Sequence, residues 1–180
     1  MTLEQWRTAN VNLLIAETYI AVHQSSQNAV FGISPQGNLG NNAQLCADVV
    51  SWCGKQGYAD YICPQIYFSP GNPRLGFEKA LSDWTELSYA DNVRLYVGLA
   101  GYKAGTDADE GTWLNRDDIL LEEYNILKKN HIETRPYYDF LNDFKGERFD
   151  ANKWAELFKR SGAKYINFVS KHHDGYCLYE

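Results

Sequence analysis

At 180 residues, 44% hydrophobic and 22% charged, the chain is long enough to bury one core of ordinary domain size and too apolar to remain disordered. A net charge of -6 leaves no lysine and arginine stripe to neutralise phosphates, which excludes nucleic acid as a partner. No apolar run approaches the roughly 20 residues of a membrane helix, and the polar start Met1-Thr2-Leu3-Glu4-Gln5-Trp6 has no signal-peptide core, so no membrane partner and a cytoplasmic location are expected of the sequence as written.

Thr2 followed by Gln5 has the form of a capping box, and Leu3, Trp6, Val11, Leu14, Ile15, Thr18 and Val22 recur at helical spacing, which predicts a helix to about Gln24. Residues 29–34 read as a short apolar strand stopped by Pro35, with a polar loop over 36–42 at its C-terminal end. A second helix is predicted over 43–55, with Leu45, Val49 and Trp52 on one face. The second strand covers 59–68, where Pro64 removes a ladder donor and implies a bulge or a strand end. A third helix, about 75–89, carries Phe77, Leu81, Trp84 and Leu87. The third strand, 93–100, leads through Gly101-Tyr102-Lys103 into an acidic loop, and a fourth helix spans about 116–130.

Regular periodicity breaks after His131. Asp150 then caps a last helix, about 151–161, with Trp154, Leu157 and Phe158 inward and Gly162 just past its end, and residues 165–169 form a fourth apolar strand. Four strands, each preceded by a helix and none joined by a hairpin, predict a single α/β domain of parallel strands with right-handed crossovers. A closed (β/α)8 barrel takes about 250 residues, so the expected architecture is half of a TIM barrel or an open parallel sheet.

In such folds ligands bind where strands end. The first exit offers Ser34, Gln36 and Asn38, the second Gln65 and Tyr67, and the third Tyr102 and Lys103. The fourth is the densest, Lys171-His172-His173-Asp174-Gly175-Tyr176, two imidazoles and a carboxylate within a few residues. Neutral imidazoles, amides and phenols each donate and accept, which suits hydroxyl-rich ligands. Thirteen tyrosines and five tryptophans add rings that are apolar on the face and polar at the tip. Glycoside hydrolysis usually requires two carboxyl groups about 5 to 9.5 Å apart. Asp174 is the one carboxylate at a strand exit, and Asp107, Asp109 and Glu110 fall in a loop expected to be solvated. The candidate substrate-binding residues are therefore His172, His173, Asp174, Gln65, Tyr67 and Tyr102, with no catalytic residue assigned.

Cys46, Cys53, Cys63 and Cys177 form no C-x-x-C pair, and adjacent histidines on an extended strand point to opposite faces, so no metal is expected and the thiols read as free. No phosphate-cradling loop or nucleophile elbow occurs, and no cofactor is implied.

Two resemblances rest on separate stretches. Trp6-Arg7-Thr8-Ala9-Asn10-Val11-Asn12, Phe31-Gly32-Ile33-Ser34-Pro35-Gln36-Gly37, Tyr61-Ile62-Cys63-Pro64-Gln65-Ile66-Tyr67 and Leu95-Tyr96-Val97-Gly98-Leu99-Ala100-Gly101-Tyr102-Lys103 make residues 1–128 resemble the later part of the glycosyl hydrolase-like 10 family, a TIM-barrel group. Phe149-Asp150-Ala151-Asn152-Lys153-Trp154-Ala155-Glu156-Leu157, Gly162-Ala163-Lys164-Tyr165 and Lys171-His172-His173-Asp174-Gly175-Tyr176-Cys177-Leu178 make residues 137–180 resemble an early segment of the α-L-fucosidase family, glycoside hydrolase 29. The second resemblance implies that His172 and His173 contact fucose, and it places that family's Asp nucleophile on a later strand, beyond Glu180. The first places its acidic strand-end motif upstream of Met1. Both imply barrel strands without a complete catalytic pair, joined over 129–136 as in a fused gene or a designed chimera.

The expected function is that of a glycoside hydrolase-derived protein binding a fucoside or related sugar at the C-terminal strand edge. The alternatives are an α-L-fucosidase completed by oligomerisation and a non-catalytic structural or designed barrel fragment. An open parallel sheet leaves edges and a face to cover, so a homo-oligomer is expected. The families it resembles are often exported, which sets their location apart from the cytoplasmic one read from this sequence.

Overall fold

The computed structural model describes residues 1–26, 28–132, 147 and 149–167. The chain divides into two compact units, Met1–Ile132 and Glu133–Glu180. The first contains α1 (Leu3–Ser25), β1 (Gly32–Ile33), α2 (Leu39–Gln44), α3 (Val49–Gly54), β2 (Tyr61–Ile62), α4 (Phe77–Thr85), β3 (Arg94–Leu95), a short turn of 3-10 helix (Gly101–Lys103), the helical turn α5 (Ala108–Gly111) and α6 (Ile119–Lys129). The described part of the second contains α7 (Ala151–Arg160).

The α/β class is as the sequence predicts, with three parallel strands in the order β1-β2-β3. Gly32 lies opposite Tyr61, which lies opposite Arg94, and Ile33, Ile62 and Leu95 form the next row. Three strands stand among the described residues where four were expected. Tyr165, Ile166 and Asn167 carry no strand, and the remainder of the expected fourth lies outside the described residues.

β1 and β2 stop short of the ends of their apolar stretches because prolines interrupt the ladder. Pro35 and Pro64 have no N–H to donate. Pairing resumes just past them, where Gln65 bridges Gln36 on one side and Gly98 on the other. The proline carbonyls remain in use: Gln65 N–H donates to Pro35 (2.9 Å) and Gly98 N–H donates to Pro64 (2.9 Å).

The Thr2–Gln5 capping box is formed at the start of α1. Val11 and Ile15 pack against the core, whereas Leu3, Trp6 and Leu14 of the same helical repeat are exposed. Polar contacts fix the helix instead. Trp52 Nε1 donates to Asn12 Oδ1 (2.7 Å), Asn12 Nδ2 donates to Asp48 Oδ2 (3.0 Å), and His23 Nε2 lies 2.9 Å from Asp60 Oδ2. The stretch predicted as a polar loop over 36–42 followed by one helix over 43–55 instead carries two helices, the first starting at Leu39. Asn38 and Asp48 each cap a new N-terminus, and Cys46 between them takes a left-handed φ of 59°. Cys46 and Cys53 therefore share no helix, and Cys46, Cys53 and Cys63 are free thiols.

The core is built from Trp52, Cys53, Ile62, Ile66 and the inner face of α4, where Phe77, Ala80, Leu81 and Trp84 are buried. Trp84 also carries a polar tie: its Nε1 donates to the Gly37 carbonyl at 2.7 Å in the buried interior. Gly37 must be glycine because a Cβ there would run into the Gln65 carbonyl oxygen. In α7, Asp150 accepts from the N–H groups of Asn152 and Lys153, and Gly162 follows with φ 80°. Trp154 and Leu157, expected inward, are exposed; the Trp154 ring instead meets Phe149 and Phe158 edge-on, at 5.4 and 5.9 Å.

Replacing Trp84 by Phe keeps most of the buried ring and leaves the Gly37 carbonyl without a donor. The expected loss is about 2 kcal/mol in urea unfolding with an unchanged denaturant slope. Wild-type stability in Trp84→Phe would show that the contact contributes nothing.

Candidate functional site

The exits of β1 and β2 are joined by neutral polar side chains. Ser34 Oγ donates to the Cys63 carbonyl (2.9 Å), and Gln65 Nε2 donates to the Ser34 carbonyl (3.2 Å) and to Ser34 Oγ (3.3 Å). Beside them, Asn41 Nδ2 donates to Gln36 Oε1 (3.0 Å). The turn from Gln36 into α2 holds its shape through the buried Asn42. Its Oδ1 accepts the Gln36 N–H (3.1 Å), and its Nδ2 donates to the carbonyls of Gln36 (2.7 Å) and Asn38 (3.1 Å). One buried amide thus replaces the ladder that Pro35 interrupts, and Ser34, Gln36 and Asn41 stay open to solvent.

Past Gln65, the rings of Tyr67 and Tyr102 meet edge-on with centroids 6.0 Å apart. Burial, with Tyr102 and Cys63 close by, pushes the Tyr67 hydroxyl above its usual range, so it is a neutral donor and acceptor at pH 7. Lys103 turns inward: its Nζ donates to the Tyr67 carbonyl (2.7 Å) and to Asp109 Oδ1 (2.9 Å). Asp109 Oδ2 also accepts from Ser69 N–H (3.1 Å) and Trp113 Nε1 (2.9 Å), and the Ser69 and Thr112 hydroxyls lie 2.6 Å apart.

In the acidic loop Asp107 and Glu110 are exposed as expected, but Asp109 is not. The Asp109 side chain is 12% exposed. Burial raises its pKa, but the bonds from Trp113, Lys103 and Ser69 outweigh that and hold it below the usual carboxylate range. Asp109 and Glu110 sit at left-handed φ of 53° and 60°, an uncommon pair for residues other than glycine, held by these contacts.

Gln65, Tyr67 and Tyr102 are thus brought to adjoining strand exits, whereas His172, His173 and Asp174 lie outside the described residues. Among the described residues no cluster of three or more His, Cys, Asp or Glu side chains could hold a metal. One charged group does not stand out in the sequence. Glu123 is wholly buried, and burial, with Glu122 and Asp109 nearby and Lys103 opposing, pushes its pKa up to about 8. The signal is present in the spacing, since Ile119, Glu123 and Leu127 form the inward stripe of α6 and a carboxylate occupies its centre.

Asp109→Asn removes the charge that Lys103, Ser69 and Trp113 converge on. A loss of about 3 kcal/mol is expected at pH 7. Because the folded pKa is depressed, the contribution is fully present above the unfolded value near 4 and disappears as pH falls through the folded value. Urea unfolding of both proteins from pH 7 to pH 2.5 should show the two stabilities converging; a pH-independent difference would contradict this assignment.

Comparison with known proteins gives two matches. Residues 2–115 match the family described as Glycosyl hydrolase-like 10, and residues 98–180 match the family described as Alpha-L-fucosidase. The glycosyl hydrolase YngK of Bacillus subtilis is 32% identical over 124 residues, which covers 59% of this chain and 24% of that protein. The glycosyl hydrolase DigH of Escherichia coli is 28% identical over 125 residues, covering 61% and 28%. The plasma alpha-L-fucosidase of Homo sapiens is 37% identical over 67 residues, covering 37% and 14%. The chain therefore spans 14% of that fucosidase and 24 to 28% of those two glycosyl hydrolases. No solved structure matches. Through a match that covers more than half of its length, with the strand exits of the first unit inside it, the chain belongs to the glycosyl hydrolase-like 10 family, and it carries a second segment of α-L-fucosidase type.

Proposed function

We propose that this glycosidase-derived chain binds neutral sugar without hydrolysing it. The observation that carries the reading is the polar strip at the strand exits of the first unit. Ser34, Gln36, Asn41 and Gln65 present hydroxyl and amide groups beside the Tyr67–Tyr102 pair, in a segment of glycosyl hydrolase-like 10 type. Amides and phenols match sugar hydroxyls as donors and acceptors, and aromatic rings cover the apolar C–H face of a pyranose. Asp109 is committed to Lys103, Ser69 and Trp113, so it serves the architecture of this edge and is not free to act on a glycosidic bond.

In the fucosidase-type segment, His172, His173 and Asp174 supply a second set of sugar-binding groups, and the similarity to α-L-fucosidases favours fucose or a related deoxy sugar as their ligand. The competing reading is an α-L-fucosidase completed by a second copy, which the outer edges of β1 and β3, unpaired among the described residues, would accommodate. The 129–136 stretch is then the junction of two glycosidase segments.

Calorimetric titration with methyl α-L-fucopyranoside and a panel of neutral pyranosides tests the proposal. Tyr67→Ala and Gln65→Ala should weaken pyranoside binding about tenfold each, and His172→Ala and His173→Ala should do the same for the fucoside. Wild-type affinity in all four variants would reject these sites. Turnover of an aryl α-L-fucoside at high protein concentration, abolished by Asp174→Asn, would replace the binding reading with the enzymatic one.

A further inference from the structure

Glu123 is an anomaly on physical grounds. Both carboxyl oxygens are buried and lack a hydrogen-bond partner among the described residues, in the middle of a helix face otherwise occupied by Ile119 and Leu127. Buried polar groups in folded proteins are almost always paired, so a buried carboxyl held without a partner is an exception that calls for a physical account. The charged groups that act on it are Lys103 and Asp109 from the β3 exit and Glu122 from its own helix.

Lys103 has three N–H donors, and two are engaged, by the Tyr67 carbonyl and by Asp109. It is thus a half-buried cation with one carboxylate in hand and a second carboxyl group within its electrostatic reach. While Glu123 holds its proton it is neutral and does not compete. Once the proton passes to solvent, two buried carboxylates face one ammonium group, an arrangement that favours redistribution of the cation between them.

We propose that Lys103, Asp109 and Glu123 form a proton-linked switch, in which loss of the Glu123 proton draws Lys103 from Asp109 and Tyr67 and weakens the tie between the 104–113 loop and the exit of β2, which then rests on Ser69 and Arg74. The loop is poised for this because Asp109 and Glu110 occupy left-handed conformations that their contacts must sustain. When Lys103 leaves, Asp109 keeps Ser69 and Trp113 but loses its cation. The carbonyl of Tyr67 loses its donor at the same time, so the change reaches the tyrosine pair. The switch does not depend on whether a sugar binds there.

The test follows Glu123 protonation and the surroundings of Asp109 in the same sample. In the full chain, the Glu123 13Cδ signal and the Trp113 indole N–H signal, which reports the bond to Asp109, are recorded by NMR from pH 5.5 to 9.5. Both should titrate with a shared midpoint near 8, and the Trp113 step should vanish in Glu123→Gln. A Glu123 midpoint near the ordinary carboxylate range, or a Trp113 signal that ignores the Glu123 titration, overturns the proposal. Both of those outcomes are read on the wild-type protein, so the test holds even if Glu123→Gln fails to fold. A Trp113 step that persists unchanged in folded Glu123→Gln also overturns it.

Discussion

The backbone of Gln65 is the constraint on which the C-terminal edge depends. It lies one residue past a proline, in the central strand's line, and it bridges Gln36 on one side and Gly98 on the other. Without that pairing, Pro35 and Pro64 would end the sheet at the β1 and β2 ladder, and the three exits would have no common level. With it, Ser34, Tyr67 and the turn carrying Tyr102 emerge side by side. The close approach of Gly37 to the Gln65 carbonyl, and the donation of Trp84 to the Gly37 carbonyl, connect this bridge to the core beneath.

The same edge separates two kinds of polar chemistry. The groups left open are neutral amides, hydroxyls and phenols, while the charges of Lys103, Asp109 and Glu123 are turned inward. A buried ion pair is weak evidence for net stability, because desolvation offsets much of the attraction. Its value here is geometric. By holding the Tyr67 carbonyl and Ser69 N–H at once, the Lys103–Asp109 pair ties the loop after β3 to the segment after β2. These neutral donors and acceptors are what the proposed sugar-binding reading rests on, in a chain derived from glycoside hydrolases.

Much of the architecture was legible because it follows from local chemistry. The Thr2–Gln5 box, the Asp150 cap and the stripe Phe77, Leu81 and Trp84 each specify their element within a few residues. The helix boundary at Cys46 was not legible, since it depends on two caps, Asn38 and Asp48, the first of which starts a helix in a stretch that reads as a polar loop. The exposed faces of α1 and α7 show the limit of periodicity, which identifies a helix but not how much of its apolar face finds a neighbour. At the site, Gln65, Tyr67 and Tyr102 could be read from strand exits. The inward turn of Asp109 could not, because its partner Ser69 comes from a separate stretch that only the fold brings beside Asp109 and Trp113.

The central claim, that the strand exits of the first unit form a sugar-binding edge, is tested most directly by mapping amide and side-chain NMR shifts during titration with a neutral pyranoside. Ser34, Gln36, Gln65, Tyr67 and Tyr102 should respond together and saturably, while His23 and Asp60, which tie α1 to the start of β2, should remain unmoved. Silence at the strand exits up to saturating sugar, or a response centred on His23 and Asp60, would contradict the account.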